Sequence, residues 1–254
     1  MNYLISVVNP DALERVCDIT ARLELPQTVT LLGHGTAVKS MLDLLGIEST
    51  EKRIVMTVAS PEKTKQFIKA MQQKLYIGIP GHGIVVAVPV KSVGGGKALS
   101  YLNGGQQNAK YVPEINEKYE LIVIIANEGR TDQVMNAARS AGATGGTVLH
   151  GKGTGSQNPK KFYNVSIASE KEVILMVAPT DRKAEIMKTI LRQAGPDSEA
   201  GAILFSLPVS EVAGFGAGCH SPGVKRNSSI EIRDKEGKPQ RDPLFRISHS
   251  LIRA

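Results

Sequence analysis

Two short glycine runs carry the first hint of chemistry in this chain: Gly33-His34-Gly35-Thr36 and Gly151-Lys152-Gly153-Thr154. Each closes an apolar stretch and opens a long polar one. Glycine at such a point can take a positive φ and lets a ligand approach the backbone amides. Successive amides of this kind can cradle an anion. A β-bulge or a plain turn uses the same residues, and neither run matches the phosphate-loop or dinucleotide fingerprints. A third cluster, Tyr76-Ile77-Gly78-Ile79-Pro80-Gly81-His82-Gly83, has three glycines in one short connection. That is more than a simple loop needs and enough to wrap a phosphate. Its counterpart later in the chain, residues 195–201, carries Asp197 and Glu199, which would repel one.

Other chemistries are thinly supplied. The five histidines are His34, His82, His150, His220 and His249, and none belongs to an HxxxH or HExxH helix. A zinc site would rest on the single adjacent pair Cys219-His220. No G-x-S-x-G nucleophile elbow is present. A small enzyme would have to work with Asp197, Glu199, His34 and His82, the ionisable residues near expected loops. The sequence therefore predicts a protein that is not an enzyme and holds no metal.

The elements that position these glycines emerge when the chain is laid on itself. At an offset of 118 residues, Gly33-His34-Gly35-Thr36 falls on Gly151-Lys152-Gly153-Thr154. Upstream, Leu13, Val16, Thr20 and Leu23 fall on Thr131, Val134, Ala138 and Ala141, spaced as one face of a helix. Downstream the offset drifts slightly: RIVMTVASPEK meets EVILMVAPTDR, and GIVVAVPV meets AILFSLPV with Pro89 on Pro208. Four elements agreeing in order indicate two copies of one domain.

Each copy reads strand, helix, strand, loop, strand, helix, strand. The first copy predicts strands at 2–8, 27–33, 52–59 and 83–89. Its first helix starts at Asn9-Pro10-Asp11 with Asn9 as cap and stops near Pro26. Its second opens at Ser60-Pro61-Glu62 by the same logic, with Phe67, Ile68, Met71 and Leu75 on one face. The second copy repeats this at 119–126, 129–142, 145–151, 171–178, 180–193 and 202–208, with Gly142 and Gly195 placed to end helices. This order is the split βαβ, ferredoxin-like α+β sandwich. Domains are expected at 1–95 and 119–216. A glycine-rich linker, 96–118, joins them, with one helical turn at 97–102, and a tail, 217–254, follows, with a strand at 229–233 and an apolar end at 245–252. Helices cover one face of each sheet. The strands ELIVIIA, EVILMVA and GIVVAVPV are apolar on both faces, so the second face must also be buried, sheet on sheet, within the chain or between copies.

Composition bounds the partners. The chain has 254 residues with Lys and Arg 31 against Asp and Glu 24, a net charge of +7. Residues 217–254 hold eight basic and four acidic side chains, which reads as a solvated tail or an arm for an acidic or membrane surface. Aromatic residues are 4% and tryptophan is absent, which argues against base-stacking nucleic-acid platforms. No apolar run approaches the roughly 20 residues of a membrane span. No basic segment precedes the first apolar stretch, and Cys17 and Cys219 cannot build a disulfide framework. A cytoplasmic protein without a leader is expected.

These residues resemble a known family. The stretches ARSAGATGGTVLHGKGTG, EVILMVAPTDRKAEIMKTIL and ILFSLPVSEV are similar to the P-II signal-transduction proteins of nitrogen regulation, in a divergent tandem form, and GIPGHGIVVAVPV resembles the family's glycine-rich B-loop and last strand. The resemblance implies sheets gathered around a threefold-like core in a homo-oligomer. It implies an adenine nucleotide effector (ATP, ADP or AMP) bound between neighbouring domains, and a regulated partner such as a membrane transporter or metabolic enzyme. Gly33, Gly35 and Thr36, with Gly151, Gly153 and Thr154, would form the bases of the target-binding T-loops, and Gly78, Gly81, His82 and Gly83 the B-loop. The T-loops would be residues 37–51 and 154–170, meeting partners through Met41, Leu45, Phe162 and Tyr163. The family's C-loop arginines and B-loop lysine have no counterpart here; Ile84 stands in the lysine's place. Phosphate charge would fall to amides together with Lys39, Lys97, Lys152 or the tail. A metal-tolerance-type trimer shares the expected architecture and is the alternative, beside a small ferredoxin-like enzyme.

Overall fold

A computed structural model of the chain describes residues 1–25, 27–36, 50–79, 81–92, 114–153, 160–162, 165–167 and 169–215. The expected helical turn at 97–102, the 229–233 strand and the rest of the tail lie outside these residues. The first half runs β1 (Asn2–Val8), a 3-10 turn (Pro10–Ala12), α1 (Leu13–Arg22), β2 (Val29–Gly35), β3 (Glu51–Ala59), α2 (Pro61–Leu75) and β4 (Ile84–Pro89). The second runs β5 (Tyr119–Asn127), α3 (Thr131–Ser140), β6 (Thr147–Gly153), the short β7 (Lys160–Phe162) and β8 (Val165–Ile167), β9 (Ser169–Pro179), α4 (Thr180–Ala194) and β10 (Ile203–Pro208). A last strand, β11 (Glu211–Ala213), follows. Each half is a ferredoxin-like βαββαβ unit.

Local chemistry explains the ends of the elements. Ser60 Oγ accepts a hydrogen bond from the Lys63 amide at 3.3 Å and Pro61 occupies the first turn of α2. Gly142, at φ +92°, follows α3. Asn9 does not cap the first helix. Its side chain is engaged elsewhere: Oδ1 accepts from Lys52 Nζ at 2.5 Å and Nδ2 donates to the Gly81 carbonyl at 3.3 Å. Asn127 repeats this in the second half, accepting from Lys171 Nζ at 2.6 Å and donating to the Glu199 carbonyl at 2.9 Å. The expected loop at 154–170 is also shorter than the sequence suggested. β7 and β8 pair within it, and β9 begins at Ser169 because the β6 ladder continues to Gly153↔Ser169.

Alternation along the strands builds three cores. Leu4, Val8, Val55, Val85 and Ala87 point toward α1 and α2 and meet Phe67 and Met71. Ile122, Ile124, Ile174 and Met176 do the same toward α3 and α4, against Val134, Ile186 and Ile190. The opposite faces form a third core: Ile5, Val7, Ile54 and Val86 from the first half meet Leu121, Val123 and Val177 from the second. Much of the second sheet face is thus buried inside the chain, sheet against sheet, while Ile125, Ile203 and Phe205 on the same face stay partly exposed.

All strands but β7 and β8 form one sheet in the order β10-β5-β9-β6-β2-β3-β1-β4-β11. The halves join at the edges β2 and β6, by His34↔Val148 and Gly35↔Thr147. β10 and β11 lie at opposite ends of that order, yet only Val209 and Ser210 separate them. Three residue steps span about 10 Å, so the sheet curls until its ends nearly meet. Val209 is fully buried in the closure, and the Ser210 amide donates to the Ala87 carbonyl at 2.8 Å.

The edge joint depends on Gly33. A Cβ there would lie 2.6 Å from the Val148 carbonyl oxygen and 2.6 Å from Ile54 Cδ1. Its counterpart Gly151 has open space. Gly33→Ala should therefore cost about 1–3 kcal/mol in urea unfolding, while Gly151→Ala is neutral; equal effects from the two would mean that the backbones do not approach at Gly33.

Candidate functional site

The two halves meet around a cavity of about 380 Å³, within the roughly 300–1,000 Å³ of ordinary ligand pockets. One wall is first-half strand: Ile5 and Val7 of β1 with Ile84 and Val86 of β4. The facing wall is second-half strand: Leu121 of β5 with Leu175 and Val177 of β9. The rim combines Gly81, the turn Thr144-Gly145-Gly146-Thr147 ahead of β6, and Gly214-Phe215 after β11. None of the lining residues is charged. The space can take a flat apolar body between two strand walls, and any charged part of a ligand must point out across the glycine rim.

The rim is tied together by Thr36. Its amide donates to the Gly146 carbonyl at 2.9 Å, and its hydroxyl donates to the same carbonyl at 3.0 Å. The hydroxyl also accepts from the Gly146 amide at 2.8 Å. One side chain thereby satisfies both backbone groups of a glycine in the other half. Arg139 of α3 crosses the same joint and donates to the Thr36 carbonyl.

Turn chemistry shapes the opposite rim. Gly78, Gly81 and Gly83 all have positive φ, at +133°, +88° and +125°. At Gly83 a Cβ would also lie 2.4 Å from the Val7 carbonyl oxygen, so only glycine fits there. His82 Nδ1 lies 3.2 Å from the Leu75 carbonyl. A carbonyl oxygen only accepts, so Nδ1 carries the proton and His82 caps the end of α2. The ring stacks edge-on against Tyr76, with centroids 6.4 Å apart.

The site residues expected from sequence divide by copy. Gly33, Gly35 and Thr36 lie at the joint between halves, and Gly81 lines the cavity, with Gly78, His82 and Gly83 in the same connection. Gly151, Lys152 and Gly153 sit at the far end of β6 and do not line the cavity. Lys152 Nζ lies 3.4 Å from a Glu170 carboxylate oxygen. Phe162 belongs to β7, whose side chains are not described. Lys39, Met41, Leu45, Lys97, Thr154 and Tyr163 lie outside the described residues. The residues that sequence reasoning missed are the wall positions and the turn 144–147. That turn offered a signal, since a Gly-Gly pair between a helix and a strand exceeds the needs of a C-cap.

Among the described residues, no group of three or more His, Cys, Asp or Glu is placed to hold a metal ion. No described helix is long and apolar enough to cross a membrane.

Comparison with known proteins places the second half. Residues 119–216 match the family model of the nitrogen regulatory protein P-II and form a P-II domain. No curated protein matches the chain. Among solved structures, the ATP complex of GlnK from B. subtilis aligns at 16% identity and a TM-score of 0.29, covering 39% of this chain and 95% of that one. An unknown protein from Galdieria sulphuraria aligns at 10% identity and a TM-score of 0.27, covering 82% of this chain and 98% of that one.

The Thr36 latch is separable from the cavity walls. Thr36→Val leaves both Gly146 groups without their hydroxyl partner and should cost about 1–3 kcal/mol, with Thr36→Ser restoring most of it. Chemical denaturation of the three proteins checks this; a neutral Thr36→Val would show that the hydroxyl does not hold the joint.

Proposed function

We propose that this chain, which carries a P-II signal-transduction domain at residues 119–216, is a non-catalytic sensor with an adenine nucleotide as effector. The observation that carries the reading is the cavity at the seam between the two halves, with apolar strand walls and a rim of glycine turns. A purine ring suits it. The base is planar and fits between two facing strand walls, and backbone groups of the 144–147 turn can meet its polar edge. The ribose and phosphates then lie toward Gly78, Gly81 and Gly83. With no charged side chain in the lining, affinity comes from base burial and backbone contacts, which favours AMP or ADP over ATP.

The signal leaves through Thr36. Residue 36 touches the cavity rim through Gly146 and is the last described residue before loop 37–49. An effector that favours one arrangement of the rim biases the start of that loop by its differential affinity, on the order of 1–3 kcal/mol. The regulated protein, a transporter or metabolic enzyme, then reads loops 37–51 and 154–170.

Titration calorimetry with ATP, ADP and AMP should find at least one binder at one site per seam. Val177→Phe fills the cavity from the second-half wall and should weaken that binder at least tenfold, while Gly151→Ala leaves it unchanged. Silence across all three nucleotides, or undiminished binding to Val177→Phe that still melts like the parent, overturns the reading.

A further inference from the structure

Two histidines from different halves meet on the face of the sheet that carries the helices. His34 lies on β2, and its register partner across the joint is Val148 of β6, which packs in the core under α3 and α4. His150 is two residues further along β6, on the same face as Val148. Diagonal neighbours of this kind stand about 7–8 Å apart, within reach of aromatic side chains. The two imidazoles do meet: their ring centres are 5.8 Å apart, with the planes at 70°. His34 is exposed and the His150 side chain is 53% exposed, so solvent ions reach both rings.

The pair belongs to the joint and to neither repeat. At the 118-residue offset, His34 falls on Lys152 and His150 on Leu32. A half on its own therefore carries no such pair. Nothing in the residues around either histidine announces it, because the partner comes from the other half of the sequence.

Glu172 orients one of the rings. It is the register partner of His150 on β9, and its side chain is only 7% exposed. Its Oε2 accepts from the Thr131 amide at 3.1 Å and from the Thr131 hydroxyl at 2.7 Å, which fixes the carboxylate at the start of α3. Its Oε1 lies 3.9 Å from His150 Nδ1. A carboxylate on that side of the ring favours a proton on Nδ1 and leaves the Nε2 lone pair to bind. Metal-binding histidines are commonly oriented by a carboxylate in this way. On the other flank, Glu51 of β3 is the register partner of His34 and is bridged by Arg53 at 2.6 Å.

We infer that His34 and His150 are the two protein ligands of a divalent transition-metal site, of the zinc or copper class, set across the joint between the halves. Imidazole nitrogen suits both ions. A ligating nitrogen sits about 2.0–2.1 Å from zinc, which places two ring centres around one ion about 5–6 Å apart. The observed spacing therefore needs only small ring rotations. Water fills the remaining positions, and Glu172 acts through His150. The bound ion ties β2 to β6 two residues ahead of Thr36, so it clamps the joint that the Thr36 hydroxyl latches.

Zinc chloride titrated into the full chain without nucleotide tests this apart from the effector reading. Calorimetry should find one ion per chain, and the ion should raise the midpoint of thermal unfolding. His34→Ala and His150→Ala, both at exposed positions, should keep the parent circular dichroism and each weaken binding at least tenfold. With Cu2+ in place of zinc, electron paramagnetic resonance should show two imidazole nitrogens in the parent and one in each alanine variant. The double variant Cys219→Ser, His220→Ala should bind like the parent. Binding that survives both alanine variants, binding lost in the Cys219→Ser, His220→Ala variant, or no saturable zinc binding at all overturns the inference.

Discussion

A strand that is apolar on both faces cannot be left half in water, and most strands of this chain are of that kind. Helices satisfy one face of each sheet. For the other, burying an apolar side chain is worth about 1.5–3 kcal/mol, so exposing the row Ile5, Val7, Val86, Leu121, Val123 and Val177 would outweigh the net stability of an ordinary domain. The chain resolves this by turning the two sheets toward each other. Every other feature follows from that choice. The edges β2 and β6 must touch, Gly33 must lack a side chain, and the link at Val209-Ser210 must reach across from one end of the sheet to the other.

Facing the two sheets leaves space between their walls at the seam, and that space is the cavity. Its chemistry is dictated by its origin: the walls are strand positions selected to be apolar, and the polar groups come from turns at the strand ends. A cavity made this way offers shape and backbone-bonding edges and little charge. Thr36 and Arg139 cross the joint beside it and close the seam through Gly146 and the Thr36 carbonyl.

Much of this was legible in the residues. The repeat gave both ferredoxin-like halves because hydrophobic period and turn glycines recur at nearly constant offset. Ser60 was readable as a cap because the decisive contact lies three residues away. Asn9 was misread for the opposite reason: Lys52 and Gly81, which claim its side chain, are distant in sequence. The same limit hid the turn 144–147. Its role depends on Thr36, over a hundred residues earlier, and on strand walls that look like any core. β11 was invisible because three residues of modest propensity become a strand only when β4 offers an edge. The strands demanded a cover, but periodicity alone does not say which cover.

Joining two domains in one chain changes what their interface can become. A seam between separate subunits must be the same everywhere, since each subunit supplies both sides. A covalent link makes one seam intramolecular, at an effective concentration of order millimolar for short linkers. That seam no longer depends on its own adhesive strength and can give area to a cavity. The two halves of this chain differ at the matching rim and wall positions. At the internal seam the rim position is Gly81 and the walls enclose space. The corresponding second-half positions carry Glu199, bridged to Arg130, and Phe205 in place of Val86, with isoleucine kept at Ile84 and Ile203. At Phe205 bulk replaces the smaller Val86, and at Glu199 a fixed ion pair replaces a bare turn, so the duplicated strands and turns of the two halves do not offer the same rim.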